Sequence, residues 1–275
     1  MKITVLAENT TQRKDLTPEM GFSAFIEVDG KNILFDCGQN DAFIQNAPKL
    51  GVDLSKTDFV ALSHAHFDHT RGFMRFVEQG YQNYKLLVHR YFFTPKFWDQ
   101  DVSYYYVGNA FGIEYINAHM IPTAMVSHDT HQMWEEGNVY LISGYKRSCL
   151  FEMIDPVQLQ LIGGEYRTDD FREEMSLVID TDKGLVVISG CAHCGVINTI
   201  ETAKERFGKD VYAFIGGTHL IAADETRARQ TIDYFNNSGI TLVAPCHCTG
   251  PMGLQMFAEE CPKYLPISTG TVIEI

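Results

Sequence analysis

Three histidines and an aspartate crowd into six residues in the run Ser63-His64-Ala65-His66-Phe67-Asp68-His69. Imidazole nitrogens and a carboxylate oxygen are ligands suited to Zn2+, and a charged cluster that packs poorly has little structural use. Residues 59–62 read as a fully buried apolar strand that runs directly into Ser63 and His64. Two apart in extended chain, His64 and His66 project to the same side, while Asp68 and His69 follow where the chain turns into a helix. The spacing therefore supplies two half-sites for two cations.

Three later positions repeat the arrangement. Cys191 with His193, then His219, then His247 each lie just past an apolar run, at residues 185–188, 211–215 and 241–244. In layered α/β sheets the C-terminal ends of strands form the edge that bears sites. Cys191-Ala192-His193-Cys194 also admits a rival reading. A Cys-x-x-Cys between strand and helix is a thioredoxin-like redox pattern, and with Cys246 and Cys248 it would make a structural four-cysteine zinc site. Neither explains the cluster at residues 64–69. No Ser–His–Asp arrangement, nucleophile elbow or glycine-rich phosphate loop competes. Arg147 follows an apolar strand at residues 139–142 and is a candidate clamp for phosphate or carboxylate, with an ion pair to Glu152 as its plainer use. Arg71, just past His69, would shape a pocket mouth.

The elements that must position these residues are legible in outline. Asp29-Gly30 between two apolar runs is a strong two-residue hairpin signal. Residues 41–50 carry helical spacing closed by Gly51, residues 73–78 form a short helix, and residues 85–88 a strand. A second hairpin is expected around residues 181–184. Helices follow at 196–207, 226–235 and 254–259, with strands at 211–215, 241–244 and 272–275. The stretch 91–145 is rich in aromatic residues, which serve either as core packing or as a lid and pocket wall. Hairpins mixed with strand–helix units in both halves predict two mixed sheets sandwiched between helices.

Composition limits the partners. The chain has 275 residues, ordinary hydrophobic and charged fractions of 45% and 21%, and a net charge of −13. That surface repels phosphate backbones, so neither nucleic acid nor an anionic membrane is an expected partner. The apolar start is too short for a secretory signal, and seven cysteines, several beside histidines, read as thiols or ligands. A cytoplasmic protein acting on a small-molecule substrate is expected. Oligomeric state is not legible.

The His-x-His-x-Asp-His run resembles the hallmark of the metallo-β-lactamase superfamily, and Asp36-Cys37-Gly38 resembles its early Asp-x-Gly element. Gly190-Cys191-Ala192-His193-Cys194-Gly195, Gly216-Gly217-Thr218-His219-Leu220 and Pro245-Cys246-His247-Cys248-Thr249-Gly250 resemble one branch, related to archaeal dihydropterin–ribofuranosylaminobenzene phosphate synthase. The resemblance implies a single four-layer αββα sandwich over residues 1–275, with an insertion or lid near 91–145. It also implies two divalent ions, zinc by expectation, with iron or manganese as the other occupants such ligands take. His64, His66 and His193 would hold the first, and Asp68, His69 and His247 the second, with Asp36 supporting the metal loop. Cys191 stands where the superfamily has a bridging aspartate, so it either ligates as thiolate or lies behind a water bridge. His128 and His131 are the other candidates for the place given to His193. His219 is a ligand, a proton donor or a structural residue. The implied activity is hydrolysis of an ester, phosphoester or related small molecule by metal-activated hydroxide, with Asp68 orienting the nucleophile and His219 protonating the leaving group. A pterin-diphosphate-dependent transferase is the alternative.

Overall fold

The computed structural model describes residues 1–275, with no helix long and apolar enough to cross a membrane. In chain order the strands begin with β1 (Lys2–Ala7), β2 (Ser23–Val28), β3 (Lys31–Phe35), β4 (Phe59–Ala61) and β5 (Lys85–His89). Next come β6 (Lys96–Asp99), β7 (Tyr104–Tyr106), β8 (Thr123–Val126), β9 (Thr130–Gln132), β10 (Val139–Ile142), β11 (Gln158–Ile162) and β12 (Glu165–Thr168). The last are β13 (Ser176–Thr181), β14 (Gly184–Ser189), β15 (Val211–Gly217), β16 (Leu242–Cys246) and β17 (Val272–Glu274). The helices are α1 (Ala42–Asn46), α2 (Phe67–Thr70), α3 (Gly72–Glu78), α4 (Ile113–Ala118), α5 (Val196–Phe207), α6 (Glu225–Asn237) and α7 (Gly250–Glu260).

Two units divide the chain. The first comprises Met1–Ser127, Pro156–Asp169 and Ser268–Ile275, and holds a seven-stranded sheet in the order β17-β1-β2-β3-β4-β5-β8. The β2–β3 hairpin turns on Asp29 and Gly30, both at positive φ (50° and 72°), the geometry the residue pair predicts. Helices α1, α3 and α4 seal one face of the sheet through Phe43, Phe73, Phe76 and Ile116 against Leu34, Val60 and Leu86. The alternate residues Ile3, Ile26, Ile33, Phe35 and Ala61 are also buried, so the sheet is apolar on both faces. Strands β3 and β4 run parallel with Phe35 opposite Ala61, so the residues after each emerge at one edge. The helix expected over 41–50 breaks after Asn46 into a 3-10 turn, Ala47–Leu50, where Pro48 withholds a backbone donor.

A four-stranded sheet, β12-β11-β6-β7, belongs to the same unit; part of the aromatic-rich stretch, which the sequence reads as core packing or a lid, builds it. Its anchor is Lys96, whose Nζ lies 2.8 and 2.7 Å from the two carboxylate oxygens of Asp169, both side chains 1% exposed. Removing one member of such a pair leaves a buried charge. Lys96→Met is therefore expected to cost about 3–5 kcal/mol in urea unfolding, and Lys96→Met/Asp169→Leu to recover most of it. Equal losses in the single and double variants would contradict this account.

The second unit, His128–Asp155 with Asp170–Ile267, holds a six-stranded sheet in the order β16-β15-β14-β13-β10-β9. Here α5, α6 and α7 bring Ile200, Ile232, Phe235 and Phe257 onto Val187, Phe214 and Val243. Leu177, Ile179, Ile188 and Ile215 bury the opposite face. β14, β15 and β16 are mutually parallel, which brings their C-terminal ends to one edge.

Candidate metal centre

In the first unit, β4 delivers the chain to Ser63 and His64, and His66 is the extended residue before α2, so Asp68 and His69 fall in its single turn. The loop is pinned on two sides. Phe67 N–H donates to the Val107 carbonyl (3.0 Å) and His66 bridges Gly108, while the Cys37 N–H donates to the His69 carbonyl (2.8 Å). Gly72 permits that closeness, because a Cβ there would stand 1.9 Å from the Cys37 carbonyl oxygen. The imidazoles crowd together, with ring centroids 4.8 Å apart for His64 and His66 and 4.3 Å for His64 and His69.

Asp36, the fully buried residue just past β3, sits behind them at a left-handed φ of 56°. Its Oδ1 accepts the Ser63 N–H (2.7 Å), and its Oδ2 lies 2.7 Å from the Ser63 hydroxyl and 2.6 Å from His69 Nδ1. Ser63 Oγ is also 2.9 Å from His64 Nδ1. An ionised carboxylate only accepts, and a hydroxyl has one proton to give. Ser63 therefore donates to Asp36 and accepts from His64 Nδ1–H, while His69 Nδ1–H donates to Asp36 directly. One carboxylate thus assigns the tautomer of two imidazoles, leaving each Nε2 with its lone pair. His69 Nε2 then faces Asp68 Oδ2 across 3.8 Å.

In the second unit Cys191 and His193 follow β14, His219 follows β15, and His247 follows β16, on the edge the sequence anticipates. Ala192, His219 and His247 all sit at left-handed φ (56°, 50° and 51°), where a side chain costs about 1–2 kcal/mol. The His193 ring stacks on Phe171, with centroids 4.0 Å apart and planes within 5°, and lies 4.1 Å from the His219 ring. The donor atoms of Cys191, His247 and Cys248, all buried, lie within 4.8 Å of one another. His131, by contrast, is on β9 at the opposite edge of the sheet from β16, with His128 just before that strand.

The remaining candidates have defined surroundings. Arg147 is exposed; its Nη2 donates to the Asp170 carbonyl and lies 3.5 Å from Cys194 Sγ. Glu152 accepts instead from the Ile197 and Asn198 N–H groups (2.8 Å each) at the start of α5, and burial pushes its carboxyl up to about 7. Arg71 lays its guanidinium over the Phe67 ring at 5.1 Å. Glu174 takes the His193 and Cys194 N–H groups (2.7 and 2.8 Å) and so holds the ligand-bearing turn. Burial, with the Glu174 carboxylate beside it, pushes the Cys194 thiol well up. Neither Cys194 nor Cys246 joins a cluster of three donors, so the four-cysteine zinc site does not form.

Spacing could not have revealed Glu174 or the Ser63 relay, whose partners lie far off in sequence. Cys248 had a signal, the Cys-His-Cys run at 246–248. Within the first unit the His64, His66 and His69 imidazoles with the Asp68 carboxylate, and within the second the Cys191 and Cys248 thiols with the His247 imidazole, are donor types that fit a divalent transition metal.

The metallo-beta-lactamase superfamily model matches residues 16–144. Over 261 residues and 94% of each chain, the protein is 31% identical to an uncharacterized protein of Methanocaldococcus jannaschii. It is 28% identical to the 7,8-dihydropterin-6-methyl-4-(beta-D-ribofuranosyl)-aminobenzene-5'-phosphate synthase of that organism, across 94% of this chain and 91% of the synthase. The crystal structure of Tm1679, a metal-dependent hydrolase of the beta-lactamase superfamily, superposes with a TM-score of 0.86 at 27% identity, covering 100% of this chain and 99% of that one.

Proposed function

Because the chain belongs to the metallo-beta-lactamase superfamily, we propose that it is a metal-dependent hydrolase of an ester, phosphoester or related small molecule. The observation that carries the reading is the Asp36 relay, which presents two buried imidazoles in the tautomer that ligates. The likeness to Tm1679 along the whole chain supports it. The reading assigns His64, His66, Asp68 and His69 as ligands from the first unit, and Cys191, His193 and His247 from the second. Two bound divalent ions, zinc by donor chemistry, would bring the pKa of a bound water towards about 7 and polarise the substrate oxygen.

The chain's own groups do the rest. Asp68 turns one oxygen to His69 and uses the carboxylate to orient the attacking water. His219 gives a proton to the leaving group, and Arg147 takes an anionic part of the substrate through its other N–H donors. The net charge of −13 favours a small substrate over a nucleic acid. Elemental analysis is expected to find about two transition metals per chain, as a two-metal site requires. A screen of phosphodiesters, phosphomonoesters, lactones and thioesters is expected to find one class whose turnover chelation abolishes. A metal-free protein of unchanged activity and stability would end the proposal.

Similarity to the synthase favours one second reading, in which the same residues serve a transferase. Incubation with a pterin diphosphate and an aromatic acceptor separates the two, since a joined product with released diphosphate marks the transferase, and pterin alcohol or monophosphate with no joined product the hydrolase.

A further inference from the structure

We propose that Cys248 is a metal ligand, and that with Cys191 and His247 it forms a thiolate-bearing half-site selective for soft divalent ions. This trio lies wholly within the second unit; it rests on the proposed function for Cys191 and His247 and adds Cys248 to them. Its members come from two strand ends, Cys191 after β14 and the consecutive His247 and Cys248 after β16, with β15 between them. Their exposures are 3%, 4% and 7%, and the three donor atoms lie within 4.8 Å of each other.

Two features of the backbone serve this convergence. On the intervening strand, a Cβ at Gly217 would stand 2.5 Å from Cys248 Sγ and 2.4 Å from the Gly190 carbonyl oxygen. Only the missing side chain lets the Cys248 thiol cross β15 and donate to the Cys191 carbonyl oxygen, 3.4 Å away. His247 opens the 3-10 turn His247–Thr249 at a φ of 51°, so two successive side chains are both presented to Cys191. The Thr249 hydroxyl ties that turn to the Cys246 carbonyl (2.7 Å) and takes a hydrogen bond from Thr218 (3.0 Å). Strain at His247 and an obligatory glycine are costs that two cysteines packed merely as small apolar residues would not require.

The chemistry that follows is specific. Binding an ion here releases two thiol protons and leaves two S–metal bonds, so affinity rises with pH. Thiolates favour zinc, cadmium or cobalt over manganese or magnesium, unlike a site of imidazole and carboxylate alone.

Cobalt(II) added to the metal-stripped protein reads this directly. Thiolate ligation gives an intense sulfur-to-cobalt charge-transfer band in the near ultraviolet, which imidazole and carboxylate ligands do not. The band is expected in the wild type, and Cys191→Ser and Cys248→Ser are each expected to weaken it by about half and to lower cadmium affinity about 10-fold or more. X-ray absorption at the zinc edge of the wild type covers the case of a variant that fails to fold: two sulfur neighbours are expected on one zinc. Cobalt bound without the band, an unchanged band in Cys248→Ser, or zinc with fewer than two sulfur neighbours would overturn the proposal. None of these readouts uses a substrate. A protein with the band that hydrolyses nothing loses only the hydrolytic reading, and a chelator-sensitive hydrolase without it keeps that activity but loses this inference, and Cys191 its place among the ligands.

Discussion

Asp36→Asn is expected to lower metal affinity and turnover together by about 10²–10⁴-fold, taking the usual 10–100-fold for each imidazole whose orienting partner is lost. Asparagine tolerates the left-handed backbone at this position and matches aspartate in shape, so the change isolates the carboxylate's role. If the amide oxygen keeps the Ser63 N–H, its NH2 group faces Ser63 Oγ and His69 Nδ1. Both must then accept where they used to donate. His69 has to carry its proton on Nε2, the atom that faces Asp68, and Ser63 turns its hydroxyl proton onto His64 Nδ1 with the same result. A competition titration against a chromophoric chelator measures the affinity, and thermal unfolding of the stripped protein checks that the fold survives. Unchanged affinity would show that the relay does not control the ligands.

His219→Asn is the second large effect, about 10²–10⁴-fold in kcat with metal content unchanged. Asparagine is chosen over alanine because His219 sits at a φ of 50°, where alanine would add backbone strain to the loss of the imidazole. The ring lies at the parallel strand ends, 4.1 Å from the His193 ring and partly exposed, positions suited to a proton donor. Protonation matters most when the departing group is a poor one, so the defect is expected to shrink for substrates with acidic leaving groups. Elemental analysis of the variant separates the roles. Loss of one metal would make His219 a ligand, and full turnover at normal metal content would make it structural.

What could be read from the sequence was what is local. His64, His66, Asp68 and His69 lie within one strand-to-helix turn, so spacing alone brings them together. The Asp29-Gly30 hairpin and helix α5 have their determinants in consecutive residues too. The β6, β7, β11 and β12 sheet leaves no periodic signal in the sequence, because β7 and β12 are exposed along their whole length and show no clear alternation of buried apolar and exposed polar residues. Its stabilising pair, Lys96 and Asp169, is separated by 73 residues. Asp36 was legible through a family resemblance, but its hydrogen bonds to Ser63 and His69 span 27 and 33 residues and no periodicity encodes them. The α7 helix begins four residues ahead of the expected start, at Gly250, because Pro251 is well suited to a first turn.

The left-handed residues at the strand ends set two kinds of selection against each other. Glycine at 219 or 247 would relax the backbone while deleting an imidazole, so variants enriched for thermal robustness and variants enriched for turnover should diverge at these positions. Ala192, with only a methyl group to lose, carries no such conflict. The strand edge is therefore where a library screened for stability alone would drift towards an inert protein, one that keeps its core and gradually loses its ligands.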